Sequence, residues 1–90
     1  MTTLLHKHSQ AFSETEIDGE VVVMDLARGD FFSLTGTAAA AWRKIDGTRD
    51  RAALIADLAA EFGQADDTVA PDVDAFLEQL TAAGLIDGAD

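Results

Sequence analysis

The sequence predicts an α+β fold in which a three-stranded antiparallel sheet is followed by three helices. β-favouring segments lie before Thr35, and apolar residues recur at helical spacing after it. Single glycines and polar turn residues separate these segments. A length of 90 residues suits one domain with one small core. We expect this domain to span residues 10–86, with flexible tails at residues 1–9 and 87–90.

Two β-favouring runs around a short polar turn predict a hairpin over Val21 to Leu34. Gly29 and Asp30 supply the turn, because glycine accepts a positive φ and aspartate can bond its own backbone. A weaker strand pattern covers Gln10 to Ile17. The Asp18-Gly19 turn would join that strand to the hairpin and complete a three-stranded meander.

The second hairpin run ends the predicted sheet. Alternation places Phe32 and Leu34 on the core face, and Phe31 and Ser33 on the opposite face. If no further strand follows, the outer backbone N–H and C=O groups of this run are free to pair with a partner.

Helix one is predicted from Gly36 to Ile45, with Thr35 as its N-cap and Asp46-Gly47 at its end. Trp42 lies on its apolar stripe, so we interpret it as a core residue rather than a platform for stacking a base. The members of this stripe are Ala38, Ala41, Trp42 and Ile45.

Helix two is predicted to start at a Thr48 cap and to stop at Gly63. Helix three is predicted to begin between Thr68 and Asp72, because Pro71 is tolerated in a first turn. Each helix has one buried stripe: Leu54, Ile55, Leu58 and Phe62 in helix two, and Val73, Phe76, Leu77 and Leu80 in helix three. After Gly84, the apolar pair Leu85 and Ile86 should return to the core.

The charge balance and the chemistry-bearing residues narrow the function. Six Lys and Arg residues stand against seventeen Asp and Glu residues, a formal charge of −11, which disfavours nucleic acid and anionic membranes as partners. Basic peptides or basic protein surfaces remain plausible partners. There is no cysteine and no secretion signal, so we expect a cytoplasmic protein. His6 and His8 lie in the predicted tail without other ligands at useful spacing, so we expect no metal, no cofactor and no enzyme activity.

The ordered segments resemble the PqqD-like family. The likeness extends from about Gln10 to Ile86, and its parts are Gly19 to Leu26, Gly29 to Leu34, Thr35 to Trp42, Ile55 to Phe62, Asp72 to Leu77, and the closing Gly84-Leu85-Ile86. Proteins similar to this family are winged-helix-like recognition elements for ribosomally synthesised peptides. The resemblance implies that the leader segment of a precursor peptide adds as a strand along Phe31 to Leu34. It also implies delivery of that peptide to a modifying enzyme or leader peptidase.

The expected site lies between the last strand and the third helix. Phe31 is the more telling candidate because it faces away from the predicted core, whereas Phe32, Leu34, Val73 and Leu80 are interpreted mainly as core. The expected peptide-binding residues are Asp30, Phe31, Phe32, Ser33, Leu34, Val73, Phe76, Leu77 and Leu80.

Two other functions remain open at this point. One is a winged-helix DNA-binding regulator, for which basic residues cluster near the first turn between helices, although Leu54 to Phe62 contains none. The other is a structural or dimerisation subunit, and the chain itself could be a monomer or a dimer.

Overall fold

The computed structural model describes residues 3–88, and its elements follow the predicted order with two added strands, one at each end. Strands β2, β3 and β4 form an antiparallel sheet in that order, while β1 and β5 form a separate two-stranded ladder. The elements are β1 (His6–Lys7), β2 (Phe12–Ile17), β3 (Glu20–Asp25), β4 (Phe31–Leu34), α1 (Gly36–Lys44), α2 (Arg51–Phe62), α3 (Asp66–Ala82) and β5 (Ile86–Asp87). The predicted α+β fold, with a three-stranded sheet followed by three helices, is confirmed.

The turn between β2 and β3 has the predicted position and chemistry. Asp18 and Gly19 both adopt positive φ, at 51° and 83°. Two successive left-handed residues give the primed turn whose twist matches an antiparallel hairpin. The first strand of the three-stranded sheet, β2, begins at Phe12, two residues after the predicted start at Gln10.

The helices cover one face of the sheet. Val21 and Val23 of β3 point into this core, and Trp42 of α1 is fully buried there, as predicted. The ring of Phe12 meets that of Trp42 edge to face, with centroids 5.0 Å apart. The indole Nε1 donates a hydrogen bond of 2.7 Å to Oε2 of Glu14 on β2, so the buried polar atom of Trp42 has its partner.

The second helix ends at Gly63 as predicted, but its N-cap and the burial of its last residue differ from prediction. Asp50, not Thr48, is its N-cap, because Oδ1 of Asp50 accepts a 2.8 Å hydrogen bond from the backbone N–H of Ala53. Thr48 instead donates its hydroxyl and its backbone N–H to the carboxylate of Asp46. Phe62, which the stripe placed in the core, is 39% exposed because it lies in the last turn.

The third helix begins at Asp66, which is earlier than predicted, and Pro71 lies inside it. The first four N–H groups of a helix have no acceptor within the helix, so a proline there removes no helical hydrogen bond. Pro71 is the sixth residue of α3, and because it lacks an N–H, the helix loses one backbone hydrogen bond. Asp66 and Asp67 in the first turn interact favourably with the helix dipole. Val69, in this first turn, is buried and packs against the core.

Part of the segments predicted to be flexible tails, residues 1–9 and 87–90, is paired in the structure. His6 pairs with Asp87 and Lys7 with Ile86, so the two ends of the domain form an antiparallel clasp. Leu5 is fully buried, and its backbone exchanges hydrogen bonds with Arg49 and Gly47. Because this pairing joins segments about 80 positions apart, no local pattern reveals it. Residues 1–2 and 89–90 lie outside the described residues.

Candidate functional site

Strand β4 has one free edge, which pairs with no strand among residues 3–88. Its other edge pairs with β3, and the N–H of Asp25 donates a 2.7 Å hydrogen bond to the C=O of Asp30, which fixes the phase of the ladder. Hydrogen-bonded and non-hydrogen-bonded residue pairs alternate along an antiparallel ladder. Asp25 and Asp30 form a hydrogen-bonded pair, so the next pair, Met24 and Phe31, is not hydrogen-bonded, and the pair after it, Val23 and Phe32, is. The N–H and C=O groups of Phe31 and Ser33 therefore point away from the sheet.

A buried carboxylate shapes the entry to β4. Asp25 is only 2% exposed, and its Oδ1 accepts hydrogen bonds from the backbone N–H groups of Ala27 and Arg28, at 3.0 and 3.3 Å. Gly29, at φ 76°, then donates its N–H to the C=O of Asp25. These bonds fix the turn that delivers Phe31 to the sheet edge.

A groove separates the first half of β4 from the C-terminal half of α3. Its volume is about 680 Å³, and Gln79, Ala82 and Ala83 supply the helical wall. Small side chains at 82 and 83 keep the groove wide at this end. Nη2 of Arg28 reaches the C=O of Ala82 at 3.5 Å, so this side chain borders the groove at the same end. The wall from the strand side is made by Arg28, Gly29, Asp30, Phe31 and Phe32.

A second cavity of about 260 Å³ continues along α3 towards its N-terminus. Val73 and Phe76 line it from α3, and Ala38 and Ala41 line it from α1. Asp72 lies at its rim and also borders a third cavity of about 260 Å³ beside Phe62. The α3 side of the groove thus follows positions 72, 76, 79 and 83, which lie on one helical face.

The structure separates the nine expected site residues into three groups. Asp30, Phe31 and Phe32 line the first cavity, and Val73 and Phe76 line the second. Ser33 is exposed and contributes its outward backbone groups. The remaining three, Leu34, Leu77 and Leu80, are buried and line neither of these cavities.

Of the four α3 residues expected in the site, Val73 and Phe76 line a cavity, whereas Leu77 and Leu80 do not. Leu77 and Leu80 carry the strongest apolar signal, and for that reason they pack into the core at 2% and 1% exposure. The missed wall residues are polar or small, among them Asp72, Gln79 and Ala83. Gln79 follows Asp72 by seven positions and Ala83 follows Gln79 by four, and this helical spacing was the available signal, since it marks the face next to the core stripe.

Most basic side chains are neutralised within the domain. Near the first turn between helices, Lys44 pairs with Glu61 at 3.0 Å, and Arg51 contacts Asp74 at 2.5 and 2.8 Å. The hydrogen bond from Arg51 lowers the pKa of the Asp74 carboxyl. Arg43 pairs with Glu16, and Arg49 with Asp46 and Asp57. These cations are therefore poor candidates for phosphate contacts, and the DNA-binding alternative is not favoured.

The part of the chain that the structure describes contains neither a metal-binding cluster nor a membrane-spanning helix. In residues 3–88, no three His, Cys, Asp or Glu side chains converge in a way that could hold a metal ion. Within the same range, every helix is too short or too polar to cross a bilayer.

Comparisons with known proteins identify a similar structure and a matching family. The solved structure described as "TbiB1 in Complex with the TbiA(beta) Leader Peptide" matches with a TM-score of 0.78 and 26% sequence identity, covering 98% of this chain and 96% of that one. No curated protein matches the chain. The family model for Coenzyme PQQ synthesis protein D (PqqD) matches residues 20–86, which is most of the chain. The protein therefore belongs to the PqqD family.

Proposed function

We propose that this protein binds the leader segment of a ribosomally synthesised precursor peptide and presents it to a modifying or processing enzyme, without catalysing a reaction itself. The free edge of β4, facing α3 across an open groove, is the observation that carries the proposal. Leader binding by the structurally similar TbiB1 supports it. The absence of cysteine suits a cytoplasmic site of action, where peptide synthesis takes place.

The leader would add as a fourth strand beside β4. The outward N–H and C=O groups of Phe31 and Ser33 offer four hydrogen bonds, each worth about 0.5 to 1.5 kcal/mol. Ordering each leader residue costs about 1 to 2 kcal/mol, so backbone pairing alone would not hold the peptide. Apolar side chains of the leader must fill the groove, at about 1.5 to 3 kcal/mol for each fully buried one.

The two cavities provide room for such side chains. An extended strand points alternate side chains to one face, so every second leader residue would face α3. We propose that these residues contact Phe32, Phe76, Gln79 and Ala83. Leu34, Leu77 and Leu80 would support the groove from below rather than touch the peptide.

A titration of the isotope-labelled protein with the leader encoded beside its gene tests the proposal. We expect amide NMR shifts at Phe31 and Ser33, and along the α3 face at 72, 76, 79 and 83. A scrambled leader of the same composition serves as the control. Saturable shifts confined to β2 or to the terminal clasp would contradict binding at β4.

A further inference from the structure

The outer face of the sheet, opposite the helices, carries an apolar surface that nothing within residues 3–88 covers. Phe31 is 67% exposed, Leu26 56% and Met24 44%. Met24 and Phe31 are directly opposite in the register and form a non-bonded pair, in which side chains lie closest. We call Val22, Met24, Leu26 and Phe31 the outer patch.

The strand geometry explains why these residues share one face. The N–H of Leu26 donates a 3.0 Å hydrogen bond to the C=O of Ala11, so the β2–β3 ladder continues one pair beyond Asp25. Val22, Met24 and Leu26 therefore alternate with the buried Val23 and Asp25. An apolar cluster of this kind on a small domain marks an interaction surface.

The charges indicate what kind of partner fits. Glu20 is the one charged strand residue on this face within the described chain, and Asp18 flanks it in the turn. The six basic residues all have partners inside the domain: Lys7 lies over the Trp42 ring, and the other five contact carboxylates. The net charge of −11 is thus carried by acidic groups at the surface. Two such chains repel each other, whereas a basic protein surface is attracted.

We propose that the outer patch docks the enzyme that acts on the leader, through an apolar surface rimmed by Lys and Arg on that enzyme. This inference rests on the proposed function for the identity of the partner. A leader strand beside β4 would extend the same sheet, so its outward side chains would lie about 5 Å from Phe31. One enzyme surface could then contact the outer patch and the bound leader together.

The test uses the purified full chain and the purified modifying enzyme or leader peptidase encoded beside it. Met24→Asp and Leu26→Asp each place a charge in the outer patch, away from the groove side of β4. Leu4→Asp is the matched control, because Leu4 is 39% exposed and lies outside the patch. Enzyme affinity is measured by biolayer interferometry with and without leader, and leader affinity by fluorescence anisotropy.

We expect each patch variant to lose roughly tenfold or more in enzyme affinity, while leader affinity and the control stay within about twofold. Glu20→Lys should also weaken enzyme binding, and Glu78→Lys on α3 should not. Unchanged enzyme affinity in both patch variants would overturn the proposal. So would a wild-type dimer, seen by light scattering, that Met24→Asp dissociates without affecting enzyme binding.

The design separates this inference from the proposed function. Loss of enzyme binding in Met24→Asp, in a protein that never bound the leader, would sustain the docking surface and reject leader recognition. If the leader bound normally and the patch variants bound the enzyme as the wild type does, leader recognition would be sustained and the docking surface rejected.

Discussion

The two edges of the three-stranded sheet have the same backbone geometry and different side-chain chemistry. On β2, Ala11 forms a hydrogen-bonded pair with Leu26 of the neighbouring strand, and such pairs alternate with non-hydrogen-bonded ones along the ladder. The backbone N–H and C=O groups that point away from the sheet therefore belong to Phe12, Glu14 and Glu16. Glu14 accepts from Trp42, and Glu16 from Arg43. On β4, by contrast, no residue from Phe31 to Leu34 is charged, and an open groove lies beside the edge.

This difference shows that an unpaired strand edge is not sufficient for a binding site. Charged side chains held across an edge discourage another strand from pairing there. A guest on β2 would meet two glutamates, and none of the cavities described above is lined by a β2 residue. It would therefore gain hydrogen bonds without the burial that those cavities offer. A guest on β4 gains both, which is why the proposed site is on that side. Four experiments test this contrast.

The largest effect is expected at Asp25, which supports the turn into β4. In Asp25→Ala the backbone N–H groups of Ala27 and Arg28 lose the buried carboxylate that accepts from them, so the free energy of unfolding should fall by about 1 to 3 kcal/mol. Urea denaturation measures this loss. Asp25→Asn keeps one acceptor oxygen and should recover much of the stability. Equal losses in both variants would show that the negative charge, rather than the hydrogen bonds, matters.

The second-largest effect is expected at Ser33, in an experiment that compares the edges of β4 and β2 directly. Ser33→Pro removes an outward N–H of β4 and leaves the ladder to β3 intact, while Glu16→Pro makes the same change on β2. We expect leader affinity to fall by about 1 to 2 kcal/mol, roughly five- to thirtyfold, in Ser33→Pro. The β2 variant should bind normally. Isothermal titration calorimetry distinguishes them, and equal losses would contradict pairing at β4.

The groove is tested by filling it. Ala82 and Ala75 are both exposed alanines of α3, and Ala82 lines the first cavity. An aromatic ring at 82 would occupy space that leader side chains need, so Ala82→Phe should weaken leader binding by about 1 kcal/mol. Ala75→Phe is the matched control and should bind as the wild type does. Tighter binding in Ala82→Phe would indicate that the leader passes over the groove rather than into it.

The smallest effect is expected at the protected edge. Glu14→Ala leaves Nε1 of the buried Trp42 without its acceptor and should lower the free energy of unfolding by about 1 kcal/mol. Glu14→Gln retains an acceptor and should be nearly neutral. Thermal denaturation followed by tryptophan fluorescence measures both variants. Leader affinity should stay unchanged, and a large change would place the glutamate edge in the binding site.

Local patterns predicted the elements and missed contacts between distant segments. The Asp18-Gly19 turn, the buried Trp42 and the return of Leu85 and Ile86 to the core were all predicted from nearby residues. Their signals are turn chemistry and apolar spacing, which act within a few positions. The terminal clasp, the early start of α3 and the Asp50 cap were missed. The clasp pairs two-residue strands that are too short to form a pattern.

The sequence by itself determined an acidic α+β domain, the strand that ends its sheet and the alternation that leaves Phe31 outward. Only the tertiary structure decided which face of α3 meets that strand. The most apolar face of a helix is buried in the core because burial favours it, so a neighbouring face with small and polar residues is left to form the groove. The position of such a binding surface depends on which helix face is buried in the core, and that is decided by the packing of the whole chain.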